Sequence, residues 1–111
     1  MAIWRHYNSA TTPDAVDWVW DAEKDRQNRL KHGLSLADGV PALADPFAMT
    51  RPDRHSYEER WQTIGGVGPS VVLLVVHTDS VAQSDGRTVG RIISVRKATR
   101  HERKAFEEGT F

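Results

Sequence analysis

The chain has 111 residues, with 15 Lys plus Arg balancing 15 Asp plus Glu and a hydrophobic fraction of 39%; that suffices for one core burying roughly two thirds of the unfolded surface, and not for two cores. With no cysteine, disulfides and thiolate-bound zinc or iron–sulfur centres are excluded, and a reducing compartment is allowed. The longest apolar run, residues 71–76, falls far short of the roughly 20 residues of a membrane-spanning helix, and no signal-peptide pattern opens the chain, so a cytoplasmic protein without membrane contact is expected.

Residues 1–15 mix polar groups, Pro13 and isolated aromatics without a period. They read as an N-terminal extension, with Trp4 and Tyr7 available to anchor it, ahead of a single domain over 16–111. Residues 16–20, rich in aromatic and β-branched side chains, predict a first strand. Asp21 as N-cap and Gly33 as left-handed terminator bound a helix over 22–32, in which Lys31 and His32 suit the negative end of the dipole. Leu30 is its only large apolar residue, so this helix is expected to lie on the surface with little anchorage. Ser35 and Asp38 form a capping box for a second helix carrying Leu36, Ala37, Val40, Leu43 and Ala44, interrupted at Gly39 and Pro41 and closed by Asp45-Pro46.

Strands follow. Residues 47–51 make a short one; residues 61–67 make a better one, weakened by Gly65 and Gly66; residues 71–78 are apolar on both faces, as a covered central strand should be. The segment 79–86 is polar and expected to be mobile. Residues 88–96 form the last strand, and Thr99 with Glu102 caps a terminal helix carrying Ala105 and Phe106. Strands joined in sequence by short turns predict an α+β fold, a small antiparallel β-sheet flanked by helices.

The last strand carries the charge. Zero net charge conceals a stretch, residues 87–104, in which seven cations face a single acid, Glu102. Such a local field binds anions on a neutral molecule. Strict alternation puts Arg91, Ile93, Val95 and Lys97 on one face and Ile92, Ser94 and Arg96 on the other. A cationic strand running into a capped helix sets free N–H groups beside Arg96 and Lys97, and arginine's planar fork holds phosphate bidentately. Ion pairs of these arginines with Asp79, Asp85 or Glu58 are the structural alternative.

Glu58, Glu59 and Arg60, just ahead of Trp61, supply carboxylates and a cation at the sheet edge, where a carboxylate serves as general base. His77 ends an apolar strand and so places an imidazole at the sheet rim, suited to proton transfer. The five histidines show no metal-binding spacing, and neither a glycine-rich phosphate loop nor a nucleophile elbow is present, so no metal and no cofactor is expected. Trp18, Trp20 and Trp61 predict a core cluster; alternatively one of them, or Tyr57, stacks a nucleobase.

Several blocks in order resemble the BrnT toxin family: Trp20-Asp21, Lys24, Asn28, Lys31-His32-Gly33, Asp45-Pro46, Glu59-Arg60-Trp61 with Ile64-Gly65, residues 75–78, Arg91-Ile92-Ile93-Ser94, Arg96-Lys97-Ala98 and Glu102-Arg103. The resemblance spans about residues 17–109 and departs from the family pattern before residue 16 and at Gly39 and Pro41. It implies a RelE-like fold and the toxin part of a type II toxin–antitoxin system: a metal-independent endoribonuclease that inhibits translation and growth. The ribose 2′-oxygen would attack phosphorus and leave a cyclic phosphate. On this reading Arg60, Arg91, Arg96 and Lys97 stabilise the phosphorane, Glu59 and His77 move protons with His32 in reserve, and Lys31, His32, Arg100 and Tyr57 bind RNA. The implied partner is a BrnA-like antitoxin with a ribbon-helix-helix part, in a heterotetramer that reaches operator DNA only through the antitoxin. A binding module acting in transcriptional autoregulation would keep the basic strand and need no proton shuttle.

Overall fold

The computed structural model of the chain describes residues 4–8, 15–54 and 57–111. Along them run β1 (Trp4–Asn8), β2 (Val16–Asp21), α1 (Ala22–His32), a 3₁₀ turn (Leu36–Gly39), α2 (Val40–Leu43), β3 (Met49–Pro52), β4 (Trp61–Val67), β5 (Val71–His77), β6 (Val81–Ala82), β7 (Thr88–Lys97) and α3 (Arg100–Glu108). The sheet order is β1-β2-β7-β5-β4-β3, with β6 hydrogen-bonded to β7. No helix of the described residues is long and apolar enough to cross a membrane.

The expected α+β architecture is present, with one departure. The β3, β4, β5 and β7 pairs are antiparallel, but β2 lies parallel to β7, matching Val16 to Thr88 and Val19 to Arg91. Parallel neighbours need a long crossover, and here the intervening helices and strands supply it. Within the segment read as an extension, β1 pairs antiparallel with β2; anchoring by Trp4 and Tyr7 concerns side chains outside the described residues. The polar segment expected to be mobile contains β6, which pairs with Val89 and Thr88.

Local signals set the helix ends. The Asp21 carboxylate accepts from Glu23 N at 2.9 Å, and Gly33 takes φ 71°. The interruption expected at Gly39 and Pro41 divides the second helix into the 3₁₀ turn and α2. Trp18, Trp20, Leu36, Val40, Ala42, Leu73, Val75, Ile92 and Val95 form the core between these helical segments and one sheet face. Each large side chain among them contributes about 1.5–3 kcal/mol on burial. The strand glycines permit close approach: a Cβ on Gly65 would stand 2.1 Å from the Ala42 carbonyl oxygen, and one on Gly90 would stand 2.5 Å from the Trp18 ring.

Anchorage of α1 differs from expectation. Leu30 is exposed, and the buried Asn28 holds the helix instead. Its amide donates to Leu34 O and Val95 O, both at 2.8 Å, and accepts from Val95 N at 3.1 Å. One side chain thus satisfies both backbone groups of a central-strand residue.

The register shift between β5 and β7 decides where the charges point. Val76 faces Ser94 while the next residue, His77, faces Ile92, leaving Ile93 as an extra residue. A bulge of this kind reverses the alternation beyond it. Ile92 and Val95 therefore share the core face, and Arg91, Ser94 and Arg96 share the opposite face. The expectation that Arg91 and Arg96 point apart is corrected by that one residue.

Candidate nucleic-acid interface

Cross-strand partners define a polar row on the face away from the core: Arg51 opposite Gln62, Gln62 opposite Val76, and Val76 opposite Ser94. Arg96 stands opposite Leu74 on the same face. Two arginine–carboxylate clusters are built on it.

Glu58 joins the first. Its Oε1 accepts from Arg60 Nε and Nη2, each at 3.2 Å, and from Arg91 Nη2. The three side chains are 29%, 33% and 47% exposed for Arg60, Arg91 and Glu58. Beside them a shallow cleft of about 540 Å³ is lined by Val19, Glu58, Glu59, Thr78, Asp79 and Arg91, among others. Glu59 is exposed and, among the described residues, takes part in no hydrogen bond or ion pair.

Glu102 joins the second. It accepts bidentately from Arg96 at 2.7 and 2.9 Å, and from Thr99 N at 2.8 Å, while Arg51 approaches to 3.9 Å. The Arg96 hydrogen bonds outweigh the burial that opposes ionisation and hold the Glu102 carboxyl down to about 2; Arg96 is correspondingly raised. Arg51 also stacks its guanidinium 3.9 Å over the Phe111 ring. Glu102 caps α3 through Thr99, so this cluster fastens the helix to the sheet.

The remaining expected site residues scatter. Arg87, of the basic stretch, pairs with Asp85 at 2.8 Å and Asp17 at 3.7 Å. The alternative of ion pairing therefore holds for Arg87 and Arg91, and for Arg96 with a different acid. Lys97 lies opposite Leu73, on the core side rather than beside Arg96, and is exposed. Lys31 and His32 end α1 in the helical layer, Arg100 opens α3, and Tyr57 is fully exposed next to Glu58. Among the described residues no three His, Asp or Glu side chains stand close enough to share a metal ion.

His77 is not at an open rim. It is 8% exposed, faces the core side, and packs edge-on against Trp18 with ring centroids 5.3 Å apart. Its Nδ1 lies 2.8 Å from Thr78 O, which only accepts, so Nδ1 carries the proton and Nε2 accepts from Thr63 Oγ1 at 2.6 Å. Thr50 Oγ1 then donates to Thr63 Oγ1 at 2.7 Å. Burial pushes the imidazole below the usual histidine range, against the Thr78 hydrogen bond and the field of Asp79. His77 is thus a neutral, fully engaged group across the sheet from Arg60 and Arg91. Nearby, Trp61 Nε1 is buried with no acceptor among the described residues, an omission that costs about 1–3 kcal/mol.

Sequence reasoning passed over Arg51, Gln62, Thr50 and Thr63. The signal available for the first two was alternation on β3 and β4; the hydroxyl chain has none, because it runs across three strands.

Among solved structures, the fold is similar to the crystal structure of the Brucella abortus ribonuclease toxin BrnT, with TM-score 0.56 and 24% identity over 73% of this chain and 94% of that one. No curated protein matches the chain. The family model of the BrnT ribonuclease toxin of type II toxin–antitoxin systems matches residues 20–102. That span contains both arginine clusters and the whole sheet except β1 and the first residues of β2, and the chain belongs to the BrnT family of ribonuclease toxins.

Proposed function

We propose that the chain is a metal-independent endoribonuclease that cuts RNA by attack of the ribose 2′-oxygen on the adjacent phosphorus, leaving a cyclic phosphate and a free 5′-hydroxyl. The observation that carries this reading is the convergence of Arg60 and Arg91 on the half-exposed Glu58 beside an open cleft. A phosphate that displaces the Glu58 carboxylate meets two guanidiniums already oriented to donate, and such donors act most strongly on the charge that develops in the phosphorane. Glu59 lines the same cleft with its oxygens unengaged and serves as the base for the 2′-hydroxyl. Water in the open cleft protonates the departing 5′-oxygen. Arg51 and Arg96 extend the positive face along the strand, with Arg100 and Tyr57 at its margins. His77 and Lys97, on the far side, take no part.

Membership of a type II toxin–antitoxin family implies an antitoxin partner. We assign that role to a BrnA-like protein with a ribbon-helix-helix part, in a heterotetramer that covers the arginine face, so that expression of the toxin alone arrests growth.

Incubating the purified protein with single-stranded RNA in EDTA tests the reaction. Cyclic-phosphate ends are expected, together with their loss in Arg91→Ala. RNA binding without new ends would favour the non-catalytic autoregulatory module; cleavage only with added metal would overturn the mechanism.

A further inference from the structure

Arg91 stands where the last strand changes partners. The β5 ladder along β7 ends at Ile92, opposite His77, and the β6 ladder begins at Val89. In the gap between them Arg91 is held by Thr78, the first residue past β5. Thr78 N donates to Arg91 O at 3.0 Å, and Arg91 N donates to Thr78 Oγ1, also at 3.0 Å. An ordinary hydrogen-bonded antiparallel pair exchanges two backbone bonds. Here the side-chain hydroxyl makes the second, while the Thr78 carbonyl accepts from His77 Nδ1 at 2.8 Å. The hydroxyl proton goes to Asp79 O at 3.1 Å, which leaves the oxygen's lone pairs for the Arg91 amide. From this clamp the Arg91 guanidinium reaches the Glu58 carboxylate that Arg60 also holds.

We propose that Thr78 is a positioning residue of the arginine site: by fixing both backbone groups of Arg91 just past the bulge, it sets where that guanidinium stands beside Arg60. The proposal rests on the ribonuclease reading for its effect on the reaction, while the placement itself is measurable without RNA. A donor to developing charge acts through its position, and a misplacement of about 1 Å costs on the order of 100-fold in rate. Attraction between a cation and the RNA backbone tolerates such a shift, because it depends on charge. Thr78 is therefore felt in the rate of cleavage and hardly in affinity. Thr78→Val keeps the branched shape and removes the acceptor, whereas Thr78→Ser keeps the hydroxyl.

Single-turnover cleavage and binding of single-stranded RNA in EDTA by these two variants, compared at equal folded fraction, test this. They are joined by ¹⁵N spectra of the free proteins, in which the buried Arg91 Nε–H is assigned by its loss in Arg91→Ala. Thr78→Val should cut about 10- to 100-fold more slowly, with RNA affinity within about threefold, and should move the Arg91 Nε–H signal toward that of an exposed arginine. Thr78→Ser should restore both rate and signal. Adding Thr78→Val to Arg91→Ala should change the remaining rate by less than about twofold, because the two residues act as one unit. An unmoved Arg91 signal in Thr78→Val, no recovery in Thr78→Ser, or losses that multiply in the double variant would each overturn the proposal, the last because Thr78 would then act on the fold or on RNA by itself. If the wild-type chain does not cut RNA, the ribonuclease reading falls, and the Arg91 signal in Thr78→Val and Thr78→Ser decides the placement alone.

Discussion

The two arginine–carboxylate clusters share one sheet face and nearly the same chemistry, yet their carboxylates are tied down differently. Glu58 sits in the irregular segment between β3 and β4 and is 47% exposed. Glu102 is 13% exposed, binds Arg96 bidentately and closes the N-terminus of α3. On the proposed reading a phosphate takes the place of the half-exposed Glu58 carboxylate; taking the place of Glu102 would undo a helix cap. The same pair of residue types thus makes the proposed anion site at one end of the face and a fastener at the other.

The largest expected effect separates them on activity. Arg91→Ala should reduce RNA cleavage by about 100- to 1,000-fold, the usual loss for an oriented donor to developing charge. It should leave the melting temperature within a few degrees, because an exposed pair contributes only about 0–1 kcal/mol. Arg96→Ala should do the opposite. It strands a largely covered carboxylate and loosens α3, at about 1–3 kcal/mol by chemical denaturation, below the value for a fully buried pair because Arg96 is 34% exposed; cleavage per folded molecule should change little.

Acid titration sharpens the contrast. The Glu102 carboxyl is lowered from 4.5 to about 2 in the folded chain, so its contribution is complete above pH 4.5 and lost as the pH falls from there toward 2. Glu102→Gln should flatten that part of the stability curve. A smaller effect is expected in salt dependence: log affinity for single-stranded RNA against log salt should lose about 0.7 of slope in Arg91→Ala. Least of all, Lys97→Ala, on the other side of the sheet, should leave cleavage within a factor of about two, as surface changes away from a site do.

What the sequence makes legible is what is encoded locally. Asp21, Gly33, Thr99 and Glu102 announce the ends of α1 and the start of α3, and Gly39 with Pro41 announces the break before α2. The illegible parts depend on neighbours distant in the chain. A one-residue bulge opposite His77 brings Arg91 and Arg96 to one face and sends Lys97 to the other. His77 is withdrawn from any rim because Trp18, from a strand nearly sixty residues earlier, covers it. Asn28 reads as one polar residue of a polar helix until Val95 is placed against it. Arg60 and Glu59 were visible as candidates from sequence, and Glu58 as an ion-pair partner for the arginines of the last strand; that Glu58 gathers Arg60 and Arg91 together was not, since it depends on how β4 and β7 are set beside β5.

Single-turnover cleavage of single-stranded RNA in EDTA by Arg91→Ala and Arg96→Ala, compared at equal folded fraction, tests the division between the clusters most directly. The expected result is a rate at least about 100-fold down in Arg91→Ala with wild-type stability, and a near wild-type rate in a destabilised Arg96→Ala. The reverse pattern, an inactive but stable Arg96→Ala beside an active Arg91→Ala, would contradict the account and move the catalytic phosphate to the Glu102 end of the face.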